Sequence, residues 1–117
     1  MERFELNETH LKLYKDKKNN LKKLKFKNVF KGFIYSENGQ YAGCVALDKN
    51  LDIIYFEVMD TFIKSKDVDT IVSNSINLLD AQSITLPNSL INIVIKYQQN
   101  GFRVTETTKK EVKLQKR

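Results

Sequence analysis

The chain has 117 residues, a hydrophobic fraction of 41%, a charged fraction of 29% and a formal net charge of +6, which together indicate one soluble globular domain. No apolar run approaches the roughly 18–20 residues that cross a bilayer, and the first ten residues lack the pattern of a signal peptide, so we expect a cytoplasmic protein without membrane contact. A single cysteine, Cys44, excludes a disulfide within the chain and a Cys-rich metal site, and its apolar neighbours predict a buried thiol.

The first 31 residues are strongly basic, with nine Lys and one Arg against four acidic residues. Spaced apolar residues predict a short amphipathic helix over 5–18, which Asn7 or Thr9 would cap. Lysines that alternate with apolar side chains over 18–32 predict an edge strand or an irregular connector.

A β-hairpin is predicted over 32–47, where two apolar runs flank the sequence ENGQ and its Asn-Gly turn. The next run, 51–59, is apolar on both of its alternating faces, which is typical of a central strand covered on both sides. One face is formed by Ile54, Phe56 and Val58, and the other by Ile53, Tyr55 and Met59.

The clearest predicted helix follows, with apolar residues at helical spacing and Ser65, Asp67 or Asp69 as its cap. Those apolar residues are Val68, Ile71, Val72, Ile76 and Leu79. A short strand over 83–87 contains the only proline. A second helix begins at Asn88 or Ser89 and ends at Asn100-Gly101.

Two β-like runs on either side of the sequence TTKK predict a final hairpin at the sheet edge. A strand, a crossover helix and a second strand imply a parallel pair, whereas the hairpins are antiparallel. The predicted fold class is therefore α/β (α+β), with a central mixed, mostly antiparallel sheet flanked by helices. We expect one domain over 1–117.

The second predicted helix ends in the pattern Tyr-x-x-x-Gly-Phe, from Tyr97 to Phe102. This ending and the order of the elements resemble the GNAT superfamily of acyl-CoA-dependent N-acetyltransferases over 32–117. The resemblance implies that residues 1–31 are a shortened, basic amino-terminal part of the same domain. It also implies acetyl-CoA as cofactor and transfer of an acetyl group to an amine, whose identity the sequence leaves open.

The cofactor loop departs from the family pattern. In the family, a glycine-containing loop after the buried strand and the next helix N-terminus hold the CoA pyrophosphate. The corresponding stretch, 62–72, contains no glycine. Asp67 and Asp69 lie near the predicted helix start, where their negative charge repels a phosphate. The remaining cofactor-binding candidates are Val58, Lys64, Ser65, Lys66 and Val68.

Two residues are catalytic candidates by this resemblance. Tyr97 takes the place of the family tyrosine that protonates the leaving thiolate, and the alternative is a core tyrosine. Glu57 is the only acid between Ile53 and Met59 of the buried strand and is the candidate general base, the alternative being a solvated carboxylate. The main-chain N–H near Val58 would polarise the thioester carbonyl. No metal site is predicted.

Two other classes of function stay open. A GNAT fold without cofactor would act as a protein-interaction module, and the basic amino-terminal segment would suit a nucleic-acid-binding module. Residues 32–107 contain nine acidic and five basic residues, which argues against nucleic acid as the partner of the core. Pairing of two copies through the edge hairpin would give a homodimer.

Overall fold

The structure is a computed structural model that describes residues 1–15, 19–62 and 66–117. These residues form a sheet with the strand order β1-β2-β3-β4-β5-β7-β6, in which only β4 and β5 are parallel neighbours. The elements are β1 (Glu2–Glu5), α1 (Glu8–Tyr14), β2 (Lys31–Glu37), β3 (Gln40–Leu47), β4 (Asp52–Val58), α2 (Lys66–Asn77), β5 (Ser83–Pro87), α3 (Ile91–Gln99), β6 (Phe102–Thr107) and β7 (Glu111–Lys116). The predicted mixed, mostly antiparallel sheet flanked by helices is confirmed.

The sheet has hydrophobic cores on both of its faces. Side chains alternate between the two faces of a strand, and in β3 Val45 joins the core beneath α2 and α3, whereas Cys44 and Ala46 join the core beneath the amino-terminal segment. Cys44 is fully buried, as predicted. Burial raises the pKa of its thiol, which leaves it uncharged and unreactive.

The elements with strong local signals are confirmed. The β2–β3 turn has positive φ at Asn38 (51°) and Gly39 (79°), as the Asn-Gly pair predicts. The helix α2 buries four of the five residues of the predicted apolar stripe, and the fifth, Leu79, is buried just beyond the end of α2 at Asn77. The helix α3 ends before Gly101, whose φ is 93°. The final hairpin is present, with β6 at the sheet edge. Pairing of two copies through this edge stays a prediction.

The amino-terminal prediction is only partly correct. Asn7 caps α1, since its side chain accepts a hydrogen bond from the main-chain N–H of His10 at 2.8 Å. The helix covers only Glu8–Tyr14 of the 5–18 range, and Glu2–Glu5 instead form β1, which pairs with β2. The connector is irregular and consists mainly of two 3₁₀ turns, Leu21–Lys23 and Phe26–Asn28.

The predicted N-caps of α2 and α3 are wrong where the structure describes them. The N-cap residue of α3 is Leu90, which forms no capping hydrogen bond through its side chain. Asn88 instead donates from its side chain to the carbonyl oxygens of Thr108 and Lys109 in the β6–β7 turn, at 3.1 and 3.0 Å. Asp67 and Asp69 lie inside the first turn of α2 rather than before it. Ser65 lies outside the described residues.

The predicted alternation of β4 is also partly wrong. Ile53 belongs to the same core as Phe56 and Val58, whereas Ile54 is 41% exposed. The register between β3 and β4 is irregular between Ala46 and Leu47, so strict alternation does not continue to the start of β4. The strand is nevertheless central and has cores on both sides.

Candidate functional site

The parallel pair β4 and β5 separates after a short contact. Only Asp52 with Ser83 and Ile53 with Ile84 are paired, although β4 stays paired with β3 to Val58 and β5 stays paired with β7 to Pro87. Residues 54–58 of β4 therefore have no strand partner on the β5 side among the described residues. We call the opening between 54–58 and 85–87 the slot. Its β4 edge offers main-chain groups that an extended ligand can pair with.

Glu57 is held by four hydrogen bonds. Its Oε1 accepts from the hydroxyls of Tyr41 (2.7 Å) and Tyr55 (2.8 Å). Its Oε2 accepts from the main-chain N–H of Asn20 (3.1 Å) and from the Asn20 side chain (3.3 Å). The carboxylate thus ties the amino-terminal segment to β3 and β4, and neither of its oxygens is free to take a proton directly from a substrate.

The two tyrosines that bind Glu57 face different clefts. Tyr41 lines a cleft of about 540 Å³ between the end of α1, the β2–β3 turn and Met59. Tyr55 lines a second cleft beside the β3–β4 turn, which we call the lysine cleft because Lys23, Lys25, Lys27 and Lys49 also line it. Burial raises the pKa of both phenols, and the hydrogen bond to the Glu57 carboxylate raises it further, so both hydroxyls stay protonated and donate to that carboxylate.

Tyr97 is completely buried. Its hydroxyl lies 2.8 Å from the Ser75 hydroxyl, which in turn donates to the carbonyl oxygen of Val72 at 2.6 Å. Because a serine hydroxyl has one hydrogen, Tyr97 is the donor to Ser75. Phe56 packs edge-on against the Tyr97 ring, with centroids 6.1 Å apart. Burial raises the pKa of this phenol. In this arrangement the hydroxyl faces α2, and Phe56 is its neighbour on β4.

The amino-terminal end of α2 combines opposite charges. Lys66 is its first residue and is exposed, and Val68 contributes a buried side chain together with one of the first main-chain N–H groups of the helix, which have no partner within the helix. Asp69 forms an ion pair with Lys96 of α3, which partly offsets its charge. The candidates Lys64 and Ser65 lie outside the described residues.

Comparison with known proteins identifies the architecture. No protein-family model matches the sequence, and no curated protein sequence matches it. Three solved structures match the fold. A Bacillus subtilis acetyltransferase in complex with CoA shares 17% identity at a TM-score of 0.56, over 72% of this chain and 74% of that one.

The other two matches cover almost all of both chains. A chimera of the spermidine N-acetyltransferase SpeG from Vibrio cholerae and hSSAT shares 13% identity at a TM-score of 0.56, over 98% of this chain and 95% of that one. The N-acetyltransferase PseH from Campylobacter jejuni shares 17% identity at a TM-score of 0.52, over 97% and 94%. The chain has the GNAT fold. At these identities the likeness establishes the fold and leaves substrate and activity open.

Within this GNAT fold the predicted site residues fall into two groups. Glu57 projects to the face of β4 that carries the amino-terminal segment, as its partners Tyr41 and Tyr55 show, whereas Val58 packs towards α2. Tyr97 contacts Phe56 and belongs to the α2 and α3 side with Val58. The slot lies along the strand that carries both Glu57 and Val58.

Sequence reasoning missed the three residues that bind Glu57. Tyr55 precedes it by two residues and so shares its face, which is a signal that the sequence contains. Tyr41 and Asn20 are 16 and 37 positions away, and only the register and the path of the connector bring them to the carboxylate.

None of the described helices is long and apolar enough to cross a membrane. Nor do residues 1–15, 19–62 and 66–117 contain a group of three or more His, Cys, Asp or Glu side chains that could hold a metal ion.

Proposed function

We propose that this protein binds acetyl-CoA in the slot and transfers its acetyl group to an amine. The observation that carries the proposal is the separation of β4 from β5, in a fold shared with acetyltransferases of which one was solved with CoA. The free β4 edge at its Val58 end fits the amide-bearing arm of the cofactor, because an extended amide chain can pair with an unpartnered strand edge. From there the arm would run towards the start of α2.

The chain offers groups for each end of the cofactor. The main chain near Val58 would polarise the thioester carbonyl, which supplies the activated acetyl group. The amino-terminal N–H groups of α2, near Val68, and the Lys66 ammonium would hold the pyrophosphate. Asp67 and Asp69 weaken this second interaction through their charge, and no glycine in 62–72 brings bare backbone to the phosphates.

Deprotonation of the amine is assigned to Glu57 through a tyrosine. Since both carboxylate oxygens already accept hydrogen bonds, a phenol is the group that an amine in a cleft reaches first. The phenol oxygen accepts the amine proton while its own hydrogen moves to Glu57. The neutral amine then attacks the thioester, which forms the N–C bond and breaks the C–S bond. The nitrogen loses its second proton to solvent as the amide forms, and the thiolate takes up a proton from solvent, so that CoA leaves as the thiol.

This transfer of the amine proton through a phenol to Glu57, which we call the relay, predicts different effects for the two phenols. If the amine binds in the lysine cleft, Tyr55→Phe removes the relay and we expect kcat to fall about 100-fold. Tyr41→Phe removes an equivalent hydrogen bond to the same oxygen but faces the other cleft, so kcat should stay within about threefold. A steady-state assay that detects free CoA thiol measures both variants. Equal losses in the two variants would contradict a relay through Tyr55.

Tyr97 is the candidate acid that the resemblance implies, and its contacts predict a mainly structural role. We expect Tyr97→Phe to lower the free energy of unfolding by about 1 kcal/mol, because one buried hydrogen bond to Ser75 is lost. Acetyl transfer should stay within about tenfold of the natural chain, since solvent can protonate the thiolate. A loss of kcat of about 100-fold or more, with little change in stability, would restore Tyr97 as the acid.

Calorimetry with acetyl-CoA at low and moderate ionic strength tests cofactor binding. We expect binding in the micromolar range to the natural chain. Asp67→Asn/Asp69→Asn removes two negative charges beside the phosphates and should tighten binding by about threefold to tenfold. The control Asp80→Asn/Glu106→Gln removes the same charge away from the α2 N-terminus and should not. Absence of binding in all three proteins would favour the cofactor-free interaction module.

A further inference from the structure

The lysine cleft has a volume of about 580 Å³ and is surrounded by positive charge. Besides its four lysines, its charged lining contains the single acid Asp48. Its apolar lining is Leu24, Ile54 and Tyr55. A cleft with four ammonium groups and an apolar side suits a small ligand that is anionic at one end.

Three of these lysines are held on an anchored backbone, the connector between α1 and β2. Leu21 and Leu24 are buried in the core beneath the amino-terminal segment, and Phe26 and Val29 pack against the same core. The intervening lysines therefore project outward from a fixed connector.

Lys49 reaches the lysine cleft from the β3–β4 turn. There Asp48 accepts hydrogen bonds from the main-chain N–H groups of Asn50 and Asp52, at 2.9 and 3.1 Å. Positive charge thus converges from two separate elements of the fold.

No ion pair among residues 1–15, 19–62 and 66–117 compensates this positive charge. The ion pairs found among the described residues involve the amino terminus, Lys96 and Lys116, and none involves a lysine of the lysine cleft. Asp48 is committed to the turn that it stabilises. A ligand with several negative charges would therefore gain electrostatic energy there, and a polyamine would be repelled.

The lysine cleft lies beside the part of β4 that borders the slot. Ile54 is the first residue after the last β4–β5 pair, and Tyr55 is the phenol that donates to Glu57. An amine bound there is next to the relay and next to the slot, while its anionic end is next to the lysines. The same small cleft can thus hold an acceptor and orient its amino group.

We propose that the lysine cleft is the acceptor site and that the acceptor is a small amine that carries one or more phosphate groups. This inference rests on the proposed function. The lysines bind the phosphate as point charges, the apolar wall contacts the carbon skeleton, and Tyr55 takes the amine proton. The chemistry of the reaction is the acetyl transfer described above, with no further reactant.

Direct binding of inorganic tripolyphosphate tests the anion site independently of acetyl transfer. We expect calorimetry to show binding that Lys23→Glu/Lys27→Glu weakens by at least about tenfold. The matched control Lys109→Glu/Lys110→Glu makes the same charge change in the exposed β6–β7 turn, and it should weaken binding less than about twofold. Equal weakening by both pairs, or no binding to the natural chain, would overturn the inference.

An acetyl-transfer assay tests the acceptor class on the same proteins. We expect glucosamine 6-phosphate, as a phosphorylated amine probe, to be acetylated at least about tenfold more efficiently than glucosamine, and Lys23→Glu/Lys27→Glu to abolish the difference. Equal rates for the two sugars, or a preference for spermidine, would overturn the inference while the proposed function stands. Tripolyphosphate binding without any acetyl-CoA binding would instead overturn the proposed function and the acceptor assignment together.

Discussion

Replacing Glu57 with alanine is expected to lower the free energy of unfolding by about 2–4 kcal/mol. The loss arises because two phenol hydroxyls and two donors of Asn20 lose one shared carboxylate partner. The amino-terminal segment should loosen from the sheet first, since Asn20 is held to β4 through this carboxylate. Chemical denaturation followed by circular dichroism measures the change.

Two kinds of control distinguish the loss of this hydrogen-bond network from a general effect of removing a negative charge. Glu106→Ala removes an exposed carboxylate from β6 and should change stability by less than about 0.5 kcal/mol. Tyr41→Phe and Tyr55→Phe each remove one donor and should each cost about 1 kcal/mol. If Glu57→Ala were as mild as Glu106→Ala, the carboxylate would not be the link between the segment and the sheet.

The second large effect is expected at Gly43, where β3 approaches β4 closely. A Cβ atom at this position would lie 2.5 Å from the main-chain oxygen of Glu57 and 3.5 Å from Val58 Cα. Because the near atom belongs to a backbone, β4 would have to move. We expect Gly43→Ala to cost about 2–4 kcal/mol and to abolish acetyl-CoA binding, since the displaced residues border the slot.

Gly39→Ala is the matched control for Gly43→Ala. Gly39 has a φ of +79°, and a Cβ atom there would have no other atom within 4 Å, so alanine strains the turn without touching β4. It should cost about 1 kcal/mol and leave acetyl-CoA binding unchanged. Denaturation and calorimetry on both variants measure these effects. Normal acetyl-CoA binding by a folded Gly43→Ala protein would place the cofactor elsewhere.

The fold was predictable where local chemistry is decisive. Asn38-Gly39 demands positive φ, and the apolar spacing from Val68 to Ile76 leaves few alternatives to a helix. The sequence predicted less at the amino terminus, because β1 has four residues of which only Phe4 is partly buried. Its strand conformation comes from pairing with β2, which is a tertiary contact.

The candidate site was predictable in part. Glu57 stands out as an acid inside an apolar strand, but its two distant partners depend on strand register and on the path of the connector. The cleft lysines were visible only as a basic run, because their convergence with Lys49 is set by the fold. The resemblance to acetyltransferases suggested Tyr97 as the catalytic acid. The hydrogen bond to Ser75 that argues for a structural role instead joins α2 to α3, and only the packing of these helices reveals it.

Chemical-shift mapping by ¹⁵N-resolved NMR during titration with acetyl-CoA tests most directly whether the slot is the cofactor site. We expect the largest changes in the main-chain amides of 54–58 on β4 and of 66–68 at the start of α2, with little change in β1 (Glu2–Glu5). Changes confined to the lysine-bearing connector over 21–28, or no changes at all, would contradict binding in the slot.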